Sequence, residues 1–432
     1  METPVHPIVE AQALDYLLAA RRQAGLLPDE WRASPREVRR VAVIGAGTMG
    51  TGIVIALLEA GMAVVLLDRD DGVVEQGRQR IVQHYERRVS AGKMSGELAA
   101  TRQSAWVVTT DWASLADVDL VIEAVYEDLA VKQEVFRRID ASAGPDALLA
   151  TNTSYLNIDD IAAATRRPRN VLGLHFFSPA HVMRLLEVVR AAQTSPVALA
   201  TGMALGARLG KTAVLAGNAF GFIGNRIYNA YRRECEFMLE DGAWPEDVDR
   251  ALTALGFAMG PFAVADMSGL DIAWRMRRAQ AATRDPRERY VSILDHLCEL
   301  GRLGRKTGAG YYAYVDGRAA PTTDDVVRGL IERSSTQRGM TRRALAPETI
   351  QRRALLAMVN EAGLLLAEGV ALRPSDVDVV LTEGYGFPRA LGGPVFWARH
   401  QAAERLAADL QALCEAAGHG FVRADLSVFS GN

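Results

Sequence analysis

Cysteine is scarce in this chain of 432 residues: Cys235, Cys298 and Cys414 are odd in number, far apart and without metal-ligand spacing. That excludes a disulfide framework and a zinc centre, and points to buried free thiols in a reducing compartment. Lysine is almost absent, limited to Lys93, Lys132, Lys211 and Lys306, so arginine carries the basic charge. A biased coding composition explains this more simply than arginine-specific chemistry. A formal net charge of −3 excludes bulk attraction to nucleic acid. No uninterrupted apolar run is long enough to span a bilayer, no charged-then-apolar leader opens the chain, and the closing FSGN carries no receptor-read address. These absences predict a soluble, cytoplasmic protein with no metal, no nucleic-acid partner and no membrane insertion.

What the sequence does hold is apolar residues, 49% of the total, enough for two or three domains each with its own core. The most informative stretch runs from Arg40 to Asp68, RVAVIGAGTMGTGIVIALLEAGMAVVLLD. Val41 to Ile44 predicts a strand, Gly45-x-Gly47-x-x-Gly50 a tight turn, the residues to Ala60 a helix, and Val64 to Leu67 a second strand. Within this βαβ unit Gly45 makes the turn, Gly47 admits a pyrophosphate to the backbone, and Gly50 lets the helix lie close on the strand. The helix N-terminus, at Thr48 and Met49, offers free N–H groups and partial positive charge to the phosphates. Asp68 lies about 20 residues beyond the glycines, where a carboxylate binds the adenosine ribose and repels a 2′-phosphate, so NAD is favoured over NADP.

Taken in order, residues 1–37 form a linker-like lead containing VEAQALDYLLAARRQAGLL. Its Leu14, Leu17 and Leu18 share a helical face that must pack on the body of the protein or on a partner. A Rossmann-type, doubly wound α/β domain is expected over 38–216. Past Asp68 a polar helix, Val73 to Arg88, carries Arg78, Arg80, Arg87 and Arg88, with Lys93 just beyond. Such a run reads as a solvated face or, less often, as a contact for an anionic phosphate group. Short apolar runs at Val107–Val108, Leu120–Ile122 and Leu148–Ala150 alternate with helix, the pattern of a parallel sheet whose ligands bind beyond the carboxyl ends of its strands. Val171 to Phe177 and Leu185 to Val189 are joined too closely for a parallel return, so they pair antiparallel and His175 can face Glu187.

From Gly217 the pattern turns helical, giving a first helical domain over 217–316, a polar, turn-rich linker over 317–345 and a second helical domain over 346–432. Glu234 to Thr253 (ECEFMLEDGAWPEDVDRALT) and Glu361 to Thr382 (EAGLLLAEGVALRPSDVDVVLT) share their landmarks, which marks a duplicated all-α region.

A nicotinamide enzyme needs a base to take the hydroxyl proton as the hydride leaves carbon. His175 suits that task, because an imidazole titrates near neutral pH and the residue sits at a strand end beside the expected cofactor crevice. Glu187 can hold its other ring nitrogen and fix the tautomer. Ser154 and Asn225 offer neutral hydrogen bonds to a substrate oxygen, whereas His181, in the loop, has no such support.

Together GAGTMG, EAVYEDLAVKQEVF, TNTSYL, GLHFFSPAHVMRLLEVV, NAFGFIGNR and GRKTGAGYY resemble the L-3-hydroxyacyl-CoA dehydrogenases of fatty acid β-oxidation. The resemblance is closest to the dehydrogenase half of the multifunctional enzymes and covers about residues 38 to 430. It implies His175 as catalytic base, Glu187 as its partner, and Ser154 and Asn225 on the 3-oxygen. It further implies that Glu127, Lys132, Asn152 and Lys306 lie around NAD, and it raises the phosphate reading of Arg80, Arg87 and Lys93 toward CoA. Ser178 stands where many single-function members carry asparagine, a change that bears on the nicotinamide contact. The hydratase half of the multifunctional enzymes is replaced here by the short lead, so a stand-alone dehydrogenase without hydratase activity is expected, acting on an acyl-CoA as a monomer or homodimer. A hydrolase triad of Ser154, His175 and Glu187 is a poorer reading, because Ser154 lacks a Gly-x-Ser-x-Gly elbow and the glycine turn would be left idle. A non-catalytic scaffold is poorer too, since all four expected site residues are present.

Overall fold

The structure, a computed structural model, describes residues 9–319 and 324–430. Residues 1–8 of the expected lead, 320–323 of the expected linker and 431–432 of the second expected helical domain lie outside the described residues. The chain divides into two compact units, one holding residues 17–226 and 368–385. The described residues of the other are 9–16, 227–319, 324–367 and 386–430.

The first unit is built on eight strands: β1 (Arg40–Ile44), β2 (Ala63–Leu67), β3 (Trp106–Thr109), β4 (Leu120–Glu123), β5 (Leu148–Thr151), β6 (Val171–Phe176), β7 (Leu185–Arg190) and β8 (Thr212–Gly217). They form one sheet in the order β3-β2-β1-β4-β5-β6-β7-β8. Every pair is parallel except β6 with β7, which run antiparallel as their short connection requires. The strands read as near-continuous apolar runs because helices cover both faces, and Val43, Leu66, Ile122 and Leu174 sit in one core with Ile53, Leu57 and Leu199 from those helices.

Strand order reverses between β1 and β4, whose pairing sets Ile44 beside Glu123. The crevice at that switch point is where a doubly wound sheet takes its ligand. Three helices matter here: α1 (Glu10–Ala24), α2 (Thr48–Glu59) and α3 (Asp71–Ser90). α2 follows the glycine turn, and α3 starts at Asp70, whose side chain accepts the Val73 N–H at 2.9 Å.

The lead helix packs differently from its leucine face. Ala13, Leu17, Ala20 and Ala24 are buried, while Leu14 and Leu18 are 40% and 51% exposed. The small alanines at helical spacing allow a close approach that larger residues would prevent. On the first unit, the C-terminal end of this helix is tied to segment 368–385: Arg21 pairs with Glu383, and Arg373 donates to the Gln23 carbonyl at 2.6 Å.

Two expectations change in the second unit. The stretch expected as linker contains a helix, Asp325–Gln337, which starts at an Asp324 cap and buries Val327, Leu330 and Ile331. Its apolar residues fall at i, i+3 and i+4, a stripe narrow enough to be masked by the arginines and serines around it. Arginine-specific chemistry is also present. Arg353 bridges Glu234 and Asp241 at 2.6 Å each, and Arg289 bridges Glu240 and Asp241 at 3.0 and 2.8 Å, all three carboxylates lying on the helix Gly224–Asp241. A planar fork with several donors can join two carboxylates in one buried network, a task a point-charge ammonium does poorly. Cys235 and Cys298 are buried free thiols and Cys414 is half-buried.

The glycine turn is sterically locked. Gly45 has φ +106°, and a Cβ at Gly50 would stand 1.7 Å from the Gly45 carbonyl oxygen. Gly50→Ala should therefore lower the unfolding free energy by about 3 kcal/mol or more, read from the urea midpoint. An unchanged midpoint would mean that α2 does not lie on the turn as described.

Candidate active site

The chemistry-bearing side chains gather at the carboxyl ends of β4, β5 and β6. His175 and Glu187 are direct partners in the β6–β7 register, and His175 Nδ1 lies 2.7 Å from Glu187 Oε2. Both are buried, His175 at 4% exposure and Glu187 at 0%. The other oxygen of Glu187 accepts the backbone N–H groups of Ile223 and Gly224, each at 3.1 Å. A buried carboxylate satisfied in this way is fixed in place and leaves one oxygen for the imidazole. The far ring nitrogen, Nε2, faces Ser154 Oγ at 3.3 Å. Phe177 and Phe222 flank the ring at centroid distances of 4.4 and 5.5 Å.

The Ser154 loop rests on a second set of charges. Glu127 Oε1 accepts the Thr153 hydroxyl at 2.6 Å and the N–H groups of Ser154 and Tyr155 at 2.8 and 3.1 Å. Lys132 is 1% exposed, and its ammonium lies 2.7 Å from Glu123 and 3.4 Å from Glu127. Glu123 also accepts the Thr151 hydroxyl at 2.7 Å, linking β4 to β5. Asn152 follows, its side-chain oxygen accepting the Phe176 N–H at 2.8 Å and so joining β5 to β6. Lys132 thus acts through carboxylates under the loop.

At the glycine turn the residues fit a dinucleotide. A Cβ on Gly45 would strike the Ala124 carbonyl at 2.6 Å, whereas one on Gly47 would meet nothing within 4 Å, which leaves an open cradle for a phosphate. Gly47 and Thr48 are exposed, Met49 is half-buried, and α2 starts without a side-chain cap, so its first N–H groups are available to an anion. Asp68 braces the turn by accepting the Ala46 N–H at 2.8 Å.

A cavity of about 490 Å³ opens beside Thr48 and brings together Arg80, Arg87, Arg88 and Lys93 with His84 and His181. Both imidazoles are held below their ordinary pKa, His84 at about 4, by burial first and then by neighbouring cations. Lys211 is pushed down to about 8 by burial, and it donates to the Ala180 and Met183 carbonyls at 2.6 Å each, holding the loop between β6 and β7. Of the remaining expected residues, Ser178 is exposed on that loop, Asn225 lies just past the two N–H donors to Glu187, and Lys306 belongs to the other unit, where it pairs with Asp271. Sequence reasoning missed the anchoring role of Glu123, although a carboxylate closing the apolar run Leu120–Ile122 was a signal. It also missed Tyr385, whose hydroxyl meets Asn225.

Residues 40–219 match the family model described as 3-hydroxyacyl-CoA dehydrogenase, NAD binding domain, and residues 221–314 match that described as 3-hydroxyacyl-CoA dehydrogenase, C-terminal domain. The chain is also 40% identical to FadB2 of M. tuberculosis, whose crystal structure it covers over 100% of that chain and 65% of this one, with a TM-score of 0.60. The chain belongs to the 3-hydroxyacyl-CoA dehydrogenase family. It is an NAD-dependent oxidoreductase. A 3-hydroxybutyryl-CoA dehydrogenase from Escherichia coli superposes with a TM-score of 0.79 at 28% identity, over 91% of this chain and 98% of that one. The peroxisomal bifunctional enzyme of Danio rerio is 42% identical over 416 residues, 92% of this chain but only 57% of that protein. The chain thus spans a little over half the length of the curated relatives it matches. Those relatives are peroxisomal by name, so the cytoplasmic expectation finds no support in them. Among the described residues no helix is long and apolar enough to cross a membrane.

Lys132→Met removes the cation between two carboxylates and leaves Glu123 buried and unpaired. Such a break should cost about 3–5 kcal/mol of stability by urea denaturation. A variant as stable as the parent would show that the ammonium is not the counter-charge.

Proposed function

We propose that this protein catalyses the reversible, NAD-dependent oxidation of an L-3-hydroxyacyl-CoA to the 3-oxoacyl-CoA in fatty acid β-oxidation. The observation that carries this reading is the hydrogen-bonded row of Glu187, His175 and Ser154 at the carboxyl ends of β5 and β6. NAD would supply the hydride acceptor when bound, and the glycine turn, Asp68, Glu127, Asn152 and Ser178 are the residues that would hold it.

His175 takes the proton of the 3-hydroxyl on Nε2. Glu187, anchored by two backbone N–H groups, keeps the proton on Nδ1 and stabilises the imidazolium as it forms. Ser154 and Asn225 hold the 3-oxygen, so that charge developing there in the reductive direction meets preset donors. Glu127 sets the Ser154 loop and Lys132 sets Glu127. Arg80, Arg87 and Lys93 in the basic cavity bind the phosphates of CoA, and anchoring them far from the reacting carbon orients it. The landmarks shared by 217–316 and 346–432 are read as a duplication of one helical domain.

Purified protein mixed with acetoacetyl-CoA and NADH should oxidise the cofactor, seen as loss of its absorbance. His175→Ala should lower kcat by roughly 10²–10⁴ with NADH binding unchanged. Absence of turnover across short and long 3-oxoacyl chains, with NADH still bound, would overturn the assignment.

A further inference from the structure

A tyrosine from the second helical copy is built into the surroundings of Asn225. The helix Pro374–Gly384 ends at Tyr385, whose hydroxyl donates to Asn225 Oδ1 at 2.8 Å across 160 positions of sequence. Segment 368–385 belongs to the same compact unit as the sheet. It is tied there by the Gly217 N–H on the Val370 carbonyl at 2.8 Å and by an antiparallel bridge of Ala216 with Ala371. The tyrosine ring occupies space that exists only because residue 224 is glycine: a Cβ there would lie 2.2 Å from Cε2 and 2.7 Å from the hydroxyl oxygen. Its edge meets Phe177 at 5.6 Å, and Phe177 in turn lies 4.4 Å from the His175 ring. Backbone, ring and hydroxyl are therefore each held by a different neighbour.

We propose that Tyr385 is a positioning residue for the dehydrogenase reaction: by holding the carbonyl end of the Asn225 amide, it turns the NH2 end toward the 3-oxygen of the substrate. The proposal rests on the reading of Asn225 as an oxygen-binding residue. The two ends of an amide are nearly equal in shape and opposite in hydrogen-bonding sense, so an untethered asparagine presents either a donor or a lone pair. An oxygen gaining negative charge needs the donor. A hydroxyl donating to Oδ1 removes the ambiguity, and phenylalanine would keep the ring while losing that proton.

The test compares full-length Tyr385→Phe, Asn225→Ala and the double variant with the parent. It uses steady-state kinetics with acetoacetyl-CoA and NADH, and calorimetric titration of acetoacetyl-CoA without NADH. Tyr385→Phe should lower kcat about tenfold and weaken acetoacetyl-CoA binding several-fold, with the KM for NADH and the melting temperature unchanged. In the Asn225→Ala background the same change should have no further effect on either readout. Parental kcat and binding in Tyr385→Phe overturn the proposal, as does a loss that persists undiminished without Asn225. Parental turnover and binding in Asn225→Ala would remove the role given to Asn225 above and this proposal with it, a failure told apart by that single variant.

Discussion

One rung of one strand pair governs the site. β6 and β7 run antiparallel, so His175 and Glu187 stand opposite each other with their side chains on one face, and the imidazole meets a carboxylate with no loop in between. Regular backbone pairing fixes such a contact more tightly than a loop can. Glu187 is itself buried, and a buried carboxylate is tolerated only when its oxygens are fully engaged. The engagement comes from Ile223 and Gly224 at the start of the helix Gly224–Asp241, where N–H groups have no helical partner and the helix dipole favours negative charge. The same helix start carries Asn225, so one backbone feature both holds Glu187 and delivers the next polar side chain.

A second charge relay supports the other side of the imidazole. Buried Glu123 and Lys132 and exposed Glu127 form a sequence of alternating charges that ends on the backbone of Ser154. The glycine turn depends on close backbone approach between β1, α2 and the residues after β4.

Much of this was legible from sequence because it is local. The βαβ unit announces itself through apolar runs, three glycines and an aspartate within 30 residues of chain, from Val41 to Asp68. The His175–Glu187 pairing follows from the short connection between two strands, which leaves a single direction of return. The illegible parts are those whose cause lies far away in the chain or is diluted in polar sequence. Tyr385 reaches Asn225 from 160 positions downstream, and nothing near either residue records the encounter. The helix Asp325–Gln337 hides a narrow apolar stripe among arginines and serines. On the lead helix, leucines suggested the buried face, yet close approach favoured the alanines beside Leu17. Arginine usage reads as a compositional habit in the sequence, whereas Arg289 and Arg353 each join a buried glutamate to half-buried Asp241.

The central claim is that Glu187 holds the proton of His175 on Nδ1 and leaves Nε2 bare for the substrate. Nitrogen-15 NMR of the protein with labelled histidine reads the tautomer of that ring directly. The account predicts, at neutral pH, a protonated Nδ1 and an unprotonated Nε2 for the resonance lost in His175→Ala, with that pattern disturbed by Glu187→Gln. A proton on Nε2 in the neutral ring, or a spectrum indifferent to Glu187→Gln, would contradict it.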